Sequence, residues 1–386
     1  MTKVFLMTDK QHNILLVANY ESNVGYAWWL MENFWVQIDK HYGENDRKCL
    51  LIYPKLTELP KTIEQSSIEP LELNFEDRSK INLLKLKNLI RSESITCVYL
   101  TDKKYYDFLY FKLRLWGVKT IINHDHTPGE RPLPTLPVRI IKSVIHRLNI
   151  FSCDYYIGVS KFVFDRLVNN ACIQPRKCTY VHNGIYPIKH DSTLTNYSNQ
   201  EFSIPANAII VVSTGRATFY KGIDFIIECA NVLVNKKNMR NLYFIHCGDG
   251  PDLDVFKDIA SKYKLNDNFR FVGRRNDIPK VLQSCHIGIQ ASLGEAFSLS
   301  ILEYLSAGLA TLAPDNCGNK EAITNNVNGF LFKPGDTQEV VSLIQKLVND
   351  ENLRLRLGER AVMSIKNKFN ITKANQEFIS TIKKFC

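Results

Sequence analysis

The stretch "HIGIQASLGEAFSLSILEYLSAGLATLAP", residues 286–314, decides the fold. Its outer segments, 286–292 and 309–314, are apolar runs of strand length, and between them lie a loop and a helical pattern. A strand, helix and strand in this succession read as a crossover unit of a parallel sheet. Two glutamates, Glu295 and Glu303, bracket the start of the helix. Ser298 and Ser300 are both candidate N-caps. With Ser300 as cap, Ser300 to Glu303 is a capping box and Glu303 is structural. With Ser298 as cap, Glu303 lies beyond the capping turn and needs another reason to be acidic. At about 100° per residue the two acids cannot share one helical face. They read as separate contacts around a helix N-terminus whose free amides can take an anion.

The same alternation extends in both directions. Upstream in the second half, strands are predicted at 208–214, 242–248 and 269–273, and downstream at 329–333, with helical patterns between them. In the first half, strands are predicted at 13–19, 48–54, 95–100, 119–126, 154–160 and 178–186, with helices over 24–43, 78–93 and 159–170. Residues 187–207 are polar, turn-rich and aperiodic, as in a linker. The expected organisation is α/β: two Rossmann-like, doubly wound parallel-sheet domains facing a cleft. An N-terminal acceptor-side domain spans 1–186, the linker 187–207 and a C-terminal domain 208–368. A final helix in 369–386 crosses back to the first domain. In open parallel sheets ligands bind beyond the carboxyl ends of strands, so the loops there carry the candidate chemistry.

Composition narrows the class. The 386 residues exceed one ordinary core, and 45% hydrophobic with 23% charged residues is a globular balance. Ten cysteines without a C-x-x-C pair read as reduced, mostly buried thiols of a cytosolic protein. The N-terminus, broken by Lys3, Asp9 and Lys10, reads as neither a secretion signal nor a membrane span. The net charge of +10 suits an anionic partner, a phosphorylated substrate or an anionic lipid. No basic cluster interleaved with aromatics supports nucleic acid.

Several motifs carry chemistry. "STGRATFYKG" (213–222) leaves a strand and enters a helix, with Gly215 for a tight turn and Arg216 and Lys221 beside the helix's positive end. This suits a diphosphate, and equally a solvated loop with two surface cations. "HCGDGPDLD" (246–254) is neither a P-loop nor a dinucleotide fingerprint, and Asp252 and Asp254 read as helix-dipole partners rather than metal ligands. "IINHDHTPGERP" (121–132) places His124 and His126 in a loop after a strand, without a completed metal set. In "PVRIIKSVIHRLNIF" (137–151), Ile141, Val144, Ile145 and Leu148 share one helical face, with Arg139, Lys142, His146 and Arg147 mostly opposite. That is a basic amphipathic helix suited to an anionic membrane surface, or an ordinary surface helix. Trp28, Trp29 and Trp35 fit a lipid acceptor or a core.

Taken in order, "VHNGI" (181–185), "GRATFYKG" (215–222), "CGDGP" (247–251), "FVGRRNDIP" (271–279) and "GEAFSLSILEYLSAGLATLAPDNCGNKEAI" (294–323) resemble the retaining GT-B glycosyltransferases of family 4, the glycosyl transferases group 1. The resemblance covers most of the second half. It implies a nucleotide-sugar-dependent hexosyl or other glycosyltransferase (EC 2.4) that retains anomeric configuration, in bacterial surface polysaccharide or lipopolysaccharide assembly. The donor implied is UDP- or GDP-linked, with no other cofactor and no metal. The basic charge and the helical pattern in 137–151 add the expectation of a glycan or lipid-linked acceptor and of an anionic membrane surface as partners. The location is cytoplasmic or peripheral on the inner membrane face. A non-catalytic sugar-nucleotide or glycan binder on the same fold is the competing expectation.

The implied roles fall on individual residues. Arg216 and Lys221 match the cations on the donor diphosphate, Glu303 the ribose ligand and Glu295 the acid near the donor sugar. The amides of Phe297, Ser298 and Leu299 would approach sugar and phosphate. Gly273 and Arg274 lie where the base is held. His124, with His126 second, matches a histidine on the sugar. Gly25 matches the loop under the phosphates, and Asn183 in "VHNGI" joins the substrate set. Departures from the family pattern are Ala296 and Ser298 where glycines are frequent, and a single glycine in "ESNVGYAWW" (21–29).

Overall fold

A computed structural model describes residues 12–23 and 28–385. The strands are β1 (Asn13–Val17), β2 (Cys49–Tyr53), β3 (Glu69–Glu72), β4 (Ile95–Thr101), β5 (Thr120–Asp125), β6 (Tyr155–Gly158) and β7 (Cys178–Tyr180), then β8 (Ile209–Thr214), β9 (Leu242–Cys247), β10 (Phe269–Phe271), β11 (Ile287–Ile289), β12 (Ala310–Pro314) and β13 (Phe330–Phe332). The α-helices are α1 (Trp29–Gly43), α2 (Lys61–Glu64), α3 (Lys80–Ser92), α4 (Phe108–Trp116), α5 (Leu136–Leu148), α6 (Lys161–Asn169), α7 (Tyr197–Glu201), α8 (Ile223–Asn231), α9 (Leu253–Lys262), α10 (Ile278–Gln283), α11 (Leu299–Ser306), α12 (Thr337–Asn349), α13 (Glu351–Ser364) and α14 (Ile371–Phe385).

Among the described residues, seven strands form one sheet in the order β3-β2-β1-β4-β5-β6-β7, and six form another in the order β10-β9-β8-β11-β12-β13. Every pairing within them is parallel. The chain divides into two compact units accordingly. The first comprises the chain to Thr127, Arg131–His182 and the part from Ala374 onward; the second comprises Pro128–Glu130 and Asn183–Lys373.

The central strands are apolar on both faces because helices cover both. In β8, Val211 packs with Ile226, Phe244 and Phe256 on one side. Its neighbours Ile210 and Val212 pack with Val281, Leu282 and Tyr304 on the other. In the first unit, Leu15 of β1 pairs with Leu50 of β2 and Val98 of β4, and all three are buried. The terminal helix α14 belongs to this unit: Phe378 packs on Phe34 and on His124, and Phe385 stacks on Tyr155.

The strand β3, "EPLE", is absent from the expected list. It is a sheet edge with exposed acidic ends and a proline, so it has neither alternation nor an apolar run. Residues 187–207, expected as a linker, lie in the second unit and contain α7. Ser198 is buried and hydrogen-bonded to Ser284 and Val281 of α10 and its end, and Ile188 donates to Ser306 Oγ. Ile188, Tyr197, Phe202 and Ile204 pack against the core around Val281 and Leu282; their irregular spacing in a polar, turn-rich stretch gave hydrophobic periodicity no sign of it. His146, expected on the polar face of its helix, is buried against Tyr156.

Candidate functional site

In each sheet the strand order reverses beside the first strand, between β1 and β4 and between β8 and β11. At such a switch point two neighbouring loops diverge and leave a crevice. In the second unit those loops are 215–222 and 290–298, which hold five of the expected site's charged and amide-bearing positions: Arg216, Lys221, Glu295, Phe297 and Ser298.

The loops are fixed by backbone contacts. Gly215 donates to Cys247 O (3.0 Å), Ala217 to Asp249 O (3.0 Å) and Asp252 to Ala217 O (3.2 Å). Gly248 and Gly250 permit this approach. A Cβ on Gly248 would lie 1.8 Å from Gly215 O, and one on Gly250 would lie 2.4 Å from Ala217 O. Asp252 accepts from the Phe219 amide (3.0 Å), while the neighbouring acid Asp254 pairs with Lys257. On the far side, Leu293 donates to Tyr220 O (2.9 Å) and the Tyr220 hydroxyl donates to Gly294 O. The Gly318 amide donates to Glu295 O (2.9 Å). Three strand-to-helix connections are thus laced into one frame.

Inside this frame, Lys221 Nζ lies 2.6 Å from Glu295 Oε1, with both side chains largely shielded. Arg216 is exposed on the same loop. Three residues past Glu295, Ser298 caps α11: its Oγ accepts from the Ile301 amide (3.4 Å) and from Gln290 Nε2 (3.3 Å). Ser300 is not the cap; its hydroxyl donates to Thr214 O (3.2 Å). The capping-box alternative is therefore corrected. Glu303 lies beyond the capping turn, partly buried, on the helix face it shares with Ser300, three positions earlier. The amides of Ser298, Leu299 and Ser300 donate to no acceptor among the described residues, as at any open helix N-terminus. A cation, a carboxylate and open amides are the equipment for an anionic ligand bearing hydroxyls.

The remaining positions divide. Gly273 has φ +68° with open space at its Cβ position, and Arg274 beside it is exposed. The next residue, Arg275, is committed to structure through Asp277 and Glu201. Asn183 is buried and donates to Phe297 O (3.3 Å), and its Oδ1 has no partner. The Phe297 ring packs on Phe369.

In the first unit, His124 is fully buried. Its Nδ1 lies 2.5 Å from the Tyr99 hydroxyl, its ring stacks on Phe378, and burial pushes its pKa well below the ordinary histidine range. As placed, it is a neutral core imidazole. His126 lies alongside (ring centroids 4.1 Å apart), with Nδ1 3.3 Å from Asp102 Oδ1 and Nε2 unpartnered. The Nε2 atoms of both histidines are buried and unpartnered. Gly25 falls outside the described residues.

Sequence reasoning passed over Tyr304. Its hydroxyl holds the Thr214 amide (2.6 Å), and its ring covers Gly288, where a Cβ would come within 2.6 Å. It ties α11 to the end of β8 and so sets the spacing of the two loops. The only available signal was a tyrosine inside an apolar helix, next to Glu303.

Comparisons with known proteins agree on this architecture. Residues 197–362 match the family Glycosyl transferases group 1. The chain is 23% identical over 301 residues to the UDP-Gal:alpha-D-GlcNAc-diphosphoundecaprenol alpha-1,3-galactosyltransferase of Escherichia coli, covering 76% of each. It is 27% identical over 230 residues to a Campylobacter jejuni N,N'-diacetylbacillosaminyl-diphospho-undecaprenol alpha-1,3-N-acetylgalactosaminyltransferase, covering 58% of this chain and 59% of that one. Among solved structures it superposes on a glycosyltransferase from Rickettsia africae with TM-score 0.80 at 19% identity, covering 98% and 99%. It superposes on Anabaena HepE, solved with UDP and glucose, with TM-score 0.76 at 17% identity, covering 97% and 100%. The fold is that of the GT-B glycosyltransferases: two Rossmann-like units with parallel sheets.

Proposed function

We propose that this chain, which belongs to the glycosyl transferases group 1 family through residues 197–362, moves a hexosyl group from a UDP-sugar to a hydroxyl of a lipid-linked glycan, with retention of anomeric configuration. The observation that carries the reading is the Lys221–Glu295 pair, held at 2.6 Å between the switch-point loops and next to the open amides of α11. In this reading Lys221 and Arg216 neutralise the donor diphosphate and stabilise charge on the departing nucleotide. Glu295 contacts the sugar and Glu303 the ribose hydroxyls. Gly273 and Arg274 hold the base. Neighbouring complexes with UDP support the donor, and relatives named for diphosphoundecaprenol substrates support the acceptor class. The setting is surface polysaccharide assembly on the cytosolic membrane face, without a metal.

The test is Glu295→Ala and Lys221→Ala, each assayed for UDP binding by thermal shift and for sugar transfer or donor hydrolysis. Losing one interaction made to the transition state lowers turnover by about 10²–10³. Full turnover in both variants would remove the site. UDP stabilisation without any turnover in the wild type would identify a binding protein instead.

A further inference from the structure

The helix α5 is turned inside out. An ordinary surface helix buries its apolar stripe. Here Leu136, Ile140, Ile141, Val144 and Leu148 are between 48% and 71% exposed, while His146 is buried and Lys142 donates to Asn170 O (3.0 Å). The Lys177 ammonium holds the helix's last turn through His146 O (2.7 Å). The polar residues are therefore the anchor to the fold, and the apolar stripe is left outward. The surface continues past the helix end: Phe151 packs against exposed Phe108 and against Phe111 of α4, with Lys112 over the Phe108 ring. Between Glu130 and Asp154 the chain has no acidic residue, while Arg131, Arg139, Lys142 and Arg147 fall in that interval. Arg139 and Arg147 are exposed beside the apolar stripe.

We infer that α5 and the Phe108–Phe151 ridge form an interfacial docking face for an anionic lipid bilayer, with Leu136, Ile140, Val144 and Leu148 entering the acyl boundary and Arg139 and Arg147 reaching the headgroups. A bilayer surface is the occupant that takes both features, an apolar stripe with flanking cations and no acids. Among the described residues no helix is long and apolar enough to cross a membrane, so the face lies on the bilayer rather than spanning it. Docking needs no donor or catalysis, so its failure is separate from failure of the transfer reading.

The experiment is flotation of the full chain with phosphatidylcholine vesicles, with and without phosphatidylglycerol, at low and high salt. Three proteins are compared: wild type, Ile140→Asp with Val144→Asp, and Arg139→Glu with Arg147→Glu. Circular dichroism checks the fold, and light scattering gives the oligomeric state. The wild type floats with the phosphatidylglycerol vesicles and is released by salt. Each reversed cation lowers partitioning by about fivefold or more, and only on anionic vesicles. The aspartate pair loses binding to both vesicle types. Wild type that stays with the unbound fraction overturns the assignment, as do variants that float like wild type. A stable dimer dissolved by the aspartate pair, without flotation, would assign the face to a second copy of the chain instead.

Discussion

Replacing Ser298 separates the structural from the functional use of the α11 N-terminus. Ser298→Ala removes the acceptor of the Ile301 amide and of Gln290 Nε2. An N-cap is worth about 1 kcal/mol, and a buried donor left unpaired costs about 1–3 kcal/mol. Both bonds are long, at 3.4 and 3.3 Å, so the expected loss is about 2 kcal/mol. Ser300→Ala removes one bond to Thr214 O and costs about 1 kcal/mol. Ser298→Asp supplies a carboxylate cap that also suits the helix dipole, and it recovers most of the loss. It also places a negative charge where the nucleotide diphosphate is proposed to sit. Two unit charges at roughly 5 Å and an effective dielectric of about 20 repel by about 3 kcal/mol, near a hundredfold in affinity. Urea unfolding followed by circular dichroism gives the stabilities, and UDP titration calorimetry gives the affinities. A larger loss from Ser300→Ala than from Ser298→Ala would restore the capping box. UDP binding by Ser298→Asp at wild-type affinity would refute an anion at this terminus.

Other outcomes follow from the same geometry. Gly248→Ala drives a methyl into Gly215 O and should abolish UDP binding or folding of the second unit. Gly273→Ala, strained but unobstructed, should cost only about 1 kcal/mol by thermal denaturation. Arg275→Ala should destabilise by about 1–3 kcal/mol by releasing Asp277 and Glu201, whereas Arg274→Ala should leave the melting temperature unchanged and weaken UDP binding. Burial holds His146, His246 and His286 at about 4 in the folded chain. From about 6.5 down to about 4 the unfolded chain takes up protons the folded one refuses, so stability falls across that window by about 3 kcal/mol per imidazole. Stability measured against pH should fall as acid is added, and less steeply in His246→Gln; a flat profile between those limits contradicts the buried neutral imidazoles.

Much of this was legible before any coordinates, because buried parallel strands are apolar runs whose ends mark the loops that matter. Thus strand ends and turn chemistry pointed to the two loops that carry Lys221 and Glu295 and to Ser298 as one of two candidate caps. What periodicity reports is which face of an element is apolar, not what covers it. It therefore assigned α5 a stripe without showing that the stripe points outward, and it placed His124 in a polar loop although Phe378, more than two hundred residues later, seals it. Tyr304 was missed because its role is a long-range bond to Thr214. The cap could not be chosen between Ser298 and Ser300 because both spacings satisfy the local rule; Gln290 and Thr214, on other segments, settle it.

The lacing of the 215–222, 248–252 and 293–318 segments has an evolutionary consequence. Most of its ties are main-chain amides and carbonyls, admitted by glycines at Gly248, Gly250 and Gly318. Main-chain ties do not depend on side-chain identity, so positions such as Arg216 and Arg274 can be exchanged without loosening the frame. Substrate preference can then drift under selection at little folding cost, while the glycines stay fixed. A lineage can diversify its sugars on one inherited scaffold.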